Sequence, residues 1–273
     1  MNAAALGLYF AVSLMYLAVA VSYAVQFARE NSRIAAWNYA ERAATILLHL
    51  AFLAFLGRLY GELPLVSWSN LLSMLALGLA VVHTVMELRF RTRETGVFVF
   101  SLALALQVGS WASLRLPPER HPLLQNPAFG VHVAAALLGY VGFLISALYG
   151  LLYLGLYRML KTRRFGLFFK KMPALDLLAQ MNWHAAVVGF VCMTAAIALG
   201  VELSRHLEVP FAHDAKFIQS VAGWLLYGLL LVARYALGWK GRRQVVMSIA
   251  CFALLAVSAA VVRFFFDTFH QFT

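Results

Sequence analysis

Long apolar stretches alternate with short polar turns along this chain, and the basic residues crowd into every second turn. Eight windows of 18 or more mostly apolar residues stand out, at 6–27, 43–60, 66–88, 97–114, 129–157, 183–203, 218–237 and 245–266. An α-helix rises about 1.5 Å per residue, so roughly 20 such residues cover the ~30 Å hydrocarbon core of a bilayer. The pattern predicts an all-α fold, a bundle of eight transmembrane helices forming one integral-membrane domain over residues 1–273. The connections are short except at 115–127 and 158–173. Pro117, Pro118, Pro122 and Pro127 favour an extended path through the first, either as a lid over a site or as a plain connector. In the fifth window Ala135 and Gly139, then Gly142, Ser146 and Gly150, recur at four-residue steps. Small residues at that period let helix backbones approach closely in lipid, so this helix is expected to be central.

The turns set the orientation. Those carrying Arg29, Arg33 and Arg42, then Arg89, Arg91 and Arg93, then Arg158 to Lys171, then Arg234 to Arg243, hold sixteen Lys and Arg against six elsewhere. Cytoplasmic loops carry that excess, which puts both termini outside the cytoplasm. The first basic residue is Arg29, so the first window lacks the positive flank of a cleaved signal and is expected to be retained. With 63% hydrophobic and 12% charged residues and a mean hydropathy of +0.80, the chain is not a soluble domain. Its net charge of +11 lies in short clusters between apolar spans, which points to membrane lipid and not to nucleic acid. Cys192 and Cys251 stand alone, without a Cys-x-x-Cys pair, so thiol exchange and structural zinc lack support; without Cys-x-x-Cys-His the chain is not itself a c-type cytochrome.

Five of the eight histidines fall in or beside the apolar windows. His49, His83 and His184 sort toward the basic face, His132 and His270 toward the other. Ionisable groups at membrane depth are costly and mark functional sites, and neutral imidazole is a common axial ligand of haem iron. His49 lies seven residues after Arg42, roughly 10 Å of helix, and His83 six before Arg89, roughly 9 Å, so the two are expected at similar depth. Any two of His49, His83 and His184 suit a second haem; the bland alternatives are a backbone hydrogen bond for His49 and a headgroup position for His184. Arg58 and Arg263 end their windows on the side of His132 and His270, placed equally for haem propionates or for lipid phosphate. Asp214 reads as a helix N-cap, and His121 and His206 as solvated loop residues. No nucleophile with a base, no phosphate-cradling glycine loop and no paired intramembrane carboxylates are evident, which leaves hydrolysis without support; a conventional small-molecule transporter stays open, although interrupted helices and paired charges at the midplane are not evident.

Three stretches, NPAFGVHVAAALLGYVGFLISALYGLLYL, LPLVSWSNLLS and GWKGRRQVVMSIACFALLAVSAAVVRFFFDTFHQF, together with PALDLLAQMNWHAAVVGF, resemble the cytochrome c assembly family, which includes CcsA, CcmC and the HemX-like proteins. The resemblance runs from Leu63 to the C-terminus. It implies a multi-pass protein of the bacterial inner membrane that handles non-covalent b-type haem, one or two per chain. It also implies outward-facing axial ligands at the start of one helix and after the last, here His132 and His270. The partners implied are haem itself and other cytochrome c assembly or haem-synthesis proteins.

The chain departs from CcsA and CcmC where those proteins carry a tryptophan-rich outer segment. Here the stretch reads LEVPFAHDAKFIQSVAGWLLYG and keeps only Asp214, Lys216, Trp224 and Tyr227 of the pattern. A later family histidine falls at Val232. These losses are similar to the HemX-like branch, linked to control of haem biosynthesis. The sequence therefore supports haem holding or transfer in cytochrome c biogenesis, with a membrane regulator of haem biosynthesis and a di-haem electron carrier as alternatives, and leaves catalytic turnover of its own open.

Overall fold

In a computed structural model of the protein, residues 3–29, 32–61, 67–112, 125–207 and 214–265 are described. Among them every regular element is helical: α1 (Ala3–Arg29), α2 (Ser32–Tyr60), α3 (Trp68–Phe90), α4 (Gly96–Ala112), α5 (Pro127–Lys161), the short α6 (Leu167–Lys171), α7 (Leu175–Leu207), α8 (Ala215–Ala236) and α9 (Arg242–Phe265). Seven of these are long and apolar enough to cross a membrane. The fourth expected span is α4, whose 17 residues reach about 25 Å, short of that standard.

Two helices extend well beyond their apolar windows. α2 begins at Ser32, eleven residues before its window, and α7 at Leu175, eight before. The added turns carry Asn38, Arg42 and Asn182, whose side chains are buried and hydrogen-bonded inside the protein. A polar group satisfied by a neighbouring helix does not end a membrane helix, though it lowers the hydropathy of the window. Elsewhere local chemistry sets the ends. Ser67 caps α3 by accepting from the Asn70 amide at 3.1 Å. Asp214 caps α8, its Oδ1 accepting from the amides of Lys216 and Phe217 at 2.9 and 3.1 Å. α3 closes on Arg91 in the left-handed region, φ 53°, with its amide donating to the Glu87 carbonyl.

The chain divides into two compact units, Met1–Gly130 and Val131–Thr273. In the first, α1 packs against α2 and α4, and α3 against α4. The buried stripe of α1 is Ala5, Tyr9, Val12, Ser13, Tyr16, Val19, Ala20 and Tyr23, while Leu14, Leu17 and Val21 point outward. That inverts a soluble core: lipid solvates leucine, so packing and internal hydrogen bonds draw tyrosine and serine inward.

In the second unit α5 makes close helix contacts at its small residues. A Cβ on Gly142 meets the Gly189 backbone nitrogen at 2.5 Å, and one on Gly150 meets Ile249 of α9 at 2.9 Å. Between them Ser146 donates to the Asn182 carbonyl at 2.9 Å. Asn182 is a hub, donating to the Ser146 carbonyl and to Ser248 Oγ while accepting from Gln244 at 2.9 Å. This knot ties α5, α7 and α9 together, and Phe143 stacks on Tyr227 of α8 at 3.6 Å beside it.

Candidate functional site

His132 lies in the second turn of α5 and reaches across to α7. Its Nδ1 is 2.8 Å from the Ala196 carbonyl oxygen. A carbonyl only accepts, so Nδ1 carries the proton and the lone pair of the neutral ring sits on Nε2. The ring packs on Gly200, where a Cβ lies 2.8 Å from His132 Cε1. Position, tautomer and rotation of this imidazole are thus fixed by α7, in the way that metal-ligating histidines are held by a backbone carbonyl on the second nitrogen. Further along the same helices Tyr140 meets Ser220 of α8 at 2.9 Å, and Trp224 donates to Thr194 of α7 at 2.8 Å while stacking on Phe190.

The remaining residues singled out in the sequence are distributed as follows. His270, His121 and His213 lie outside the described residues, as do the side chains of Arg263 and His206. Arg58 is exposed in the last turn of α2. His184 of the second unit turns Nδ1 back to the Gln180 carbonyl of its own helix, 2.8 Å away. His49 and His83 both lie in the core of the first unit, fully buried, but not at one depth.

His49 sits within a directed hydrogen-bonded file. Ser73 donates to Gln107 Oε1 at 2.9 Å, so Ser73 Oγ accepts from His49 Nε2 at 2.9 Å, and His49 Nδ1 then accepts from Tyr16 O–H at 3.0 Å. Gln107 Nε2 and Trp111 Nε1 donate to Ser13 Oγ, at 3.4 and 3.1 Å, and Ser13 donates to the Tyr9 carbonyl at 3.0 Å. Both ring nitrogens of His49 are spent on side chains, where a backbone carbonyl was the bland expectation. Ligating iron from here requires giving up Tyr16 or Ser73.

His83 is ten residues farther along α3 than Ser73, about 15 Å of helix, which corrects the expectation of a shared depth. Its level is occupied by a group of charges that the hydropathy pattern concealed. Arg42 Nη1 is 2.7 Å from Glu87 Oε2, and these side chains are 2% and 1% exposed. Arg42 also donates to Tyr23 Oη at 2.5 Å, and Tyr23 O–H donates to Glu87 Oε2 at 2.5 Å. His83 Nε2 stands 3.6 Å from the same oxygen, and Tyr23 stacks on Phe100. Arg42 is therefore a buried helix residue and not a loop cation, and paired charge inside the first unit, which the sequence did not make evident, is present. The available signal was an arginine and a glutamate at the edges of their apolar windows, with a tyrosine inside the first.

With this geometry in view, the profile of the family described as Cytochrome C assembly protein matches residues 8–270. The chain belongs to the cytochrome c assembly family. Relatives include the inner membrane protein YpjD of Escherichia coli K12, 26% identical over 69% of this chain and 70% of that protein. The protein HemX of Bacillus subtilis is 24% identical over 89% of this chain and 90% of its own length. The cytochrome c biogenesis protein CcsA of Heterosigma akashiwo is 24% identical over 78% of this chain and 77% of its own. The match begins in α1, well before Leu63, so the family likeness takes in the first unit with its polar core as well as the second. Within this family member the second unit carries a histidine fixed by α7, and the first unit carries a buried polar core.

Proposed function

We propose that this protein serves cytochrome c biogenesis by holding haem at the outer end of its second unit, with His132 and His270 as axial ligands, in a bacterial inner membrane with both termini outside the cytoplasm. The observation that carries the reading is the Ala196 carbonyl on His132 Nδ1, which directs the Nε2 lone pair away from α7. Haem is the substrate here, and its iron supplies the bond to imidazole. The chain orients the ring and blocks its rotation at Gly200, and Arg263 is the carboxylate partner proposed within the same unit. His49 and His83 are assigned to the internal polar core of the first unit, so one haem per chain is the reading adopted.

Protein purified in mild detergent from haem-replete cells is expected to show a Soret band that His132→Ala abolishes and added imidazole restores. Gly200→Leu, which pushes the ring off its carbonyl, is expected to weaken haem retention about 10- to 100-fold. Colourless wild-type protein would overturn the proposal.

A regulatory reading in the manner of HemX draws support from the missing tryptophan-rich segment and from the HemX match along nearly the whole chain. Deletion separates the two. Loss of c-type cytochromes at normal haem levels is the result expected for assembly, whereas altered haem precursors with intact cytochromes would favour regulation.

A further inference from the structure

The charged group of the first unit opens on an unexplained pocket. Its volume is about 460 Å³, and Gln26, Tyr39, Glu87, Leu88, Arg91, Arg93 and Glu94 line it. The carboxylate of Glu87 faces two ways. Oε2 is fully engaged by Arg42 and Tyr23. Oε1 is buried and, among the described residues, has no hydrogen-bond donor; Arg93 Nε is 3.8 Å away. A buried carboxylate oxygen without a donor is costly, and more so when the group is charged. An arrangement that keeps one beside an opening is suited to a ligand that brings the donor with it.

The surroundings define that ligand. Arg91 is exposed at the left-handed end of α3, and Arg93, 28% exposed, covers the Tyr39 ring at 4.5 Å. Glu94 is already occupied, accepting from Thr92 Oγ1 and from the Arg93 amide. A cation-seeking oxygen thus lies next to two guanidinium groups within one pocket. The pocket also borders on the outer surface of the bundle: Leu88 lines it while 58% exposed, and Val85, one turn before, is 52% exposed. The site combines a carboxylate, an anion-binding pair and an apolar flank at the end of a membrane helix.

We propose that this pocket binds a zwitterion carrying a primary ammonium next to a phosphate, the chemistry of a phosphatidylethanolamine headgroup or of free phosphoethanolamine. The ammonium donates to Glu87 Oε1 and takes the place of the Arg93 guanidinium, which turns with Arg91 to the phosphate. Charge is conserved in this exchange, and Oε1 gains the donor it lacks. An acyl chain, when present, lies along Leu88 and Val85.

The test is native mass spectrometry and thermal melting of the full-length protein in detergent, offered phosphatidylethanolamine, phosphatidylcholine or phosphatidylglycerol at equal concentration. Phosphatidylethanolamine is expected to be retained at least about tenfold over the others, because a trimethylammonium donates no hydrogen bond and phosphatidylglycerol has no cation. Arg91→Ala, whose side chain is exposed, and Glu87→Gln are each expected to erase the preference; should Glu87→Gln fail to fold, Arg91→Ala decides. Free phosphoethanolamine that raises the melting temperature and displaces the lipid identifies a soluble ligand of the same chemistry, whereas a phosphatidylethanolamine preference that free phosphoethanolamine does not disturb identifies the lipid. Equal retention of all three lipids with no response to phosphoethanolamine, or a preference unchanged in Arg91→Ala, would overturn the proposal.

Discussion

Replacing Arg42 with methionine is expected to destabilise the first unit by about 3–5 kcal/mol, the cost of leaving the Glu87 carboxylate buried without its cation. The pair is 2.7 Å apart, almost inaccessible, and joined through Tyr23, which accepts from Arg42 and donates to Glu87. Glu87→Met alone is expected to cost a similar amount, since it strands the guanidinium. The double substitution Arg42→Met/Glu87→Met removes both charges and is expected to recover most of the loss, because a buried pair offsets its own desolvation and adds little beyond that. Detergent-solubilised protein unfolded by denaturant, followed by tryptophan fluorescence, gives the three values, and the double-mutant cycle isolates the coupling. Additive losses in the double variant would show that the two charges act independently.

Gly142→Ala is expected to cost the second unit about 1–3 kcal/mol, although it adds a single methyl to a helix that alanine otherwise favours. The new carbon would sit 2.5 Å from the Gly189 nitrogen, 2.6 Å from its Cα and 3.0 Å from the Ala185 carbonyl oxygen, all backbone, so the helices have to separate. Separation also loosens the adjacent Ser146–Asn182 bonds, whose loss adds to the effect. Gly150→Ala meets side-chain atoms of Ile249 at 2.9 Å and is expected to cost less, since a rotamer change relieves it. Gly7→Ala meets nothing within 4 Å and is expected to be neutral or slightly stabilising. Melting temperatures should be lowest for Gly142→Ala, higher for Gly150→Ala and highest for Gly7→Ala; equal values for Gly142→Ala and Gly7→Ala would contradict the packing.

Hydropathy captured the location of every long helix because a span must be apolar wherever it meets lipid. It misjudged the extents of α2 and α7, where Asn38, Arg42 and Asn182 turn inward, since a window average does not distinguish a polar residue facing water from one facing another helix. The small-residue spacing of α5 was legible for the reason that a close approach needs glycine on one side at least. Histidine depth failed for His49 and His83, which lie at different levels of the first unit. Counting residues from the nearest arginine presumed that Arg42 marks the membrane edge, and Arg42 is itself buried. The charged pair left no trace in composition because its members are separated by 45 positions along the chain and meet only through folding.

The file through His49 also bears on membrane tightness. Hydroxyls and imidazoles pass protons by accepting one and releasing another, and Tyr16, His49 and Ser73 are such groups. Gln107, the next member, is an amide: its oxygen receives from Ser73 and its nitrogen gives to Ser13, but no proton travels between the two atoms. The file through His49 is therefore broken at Gln107, so the polar contacts that fill this part of the core do not add up to a continuous proton path.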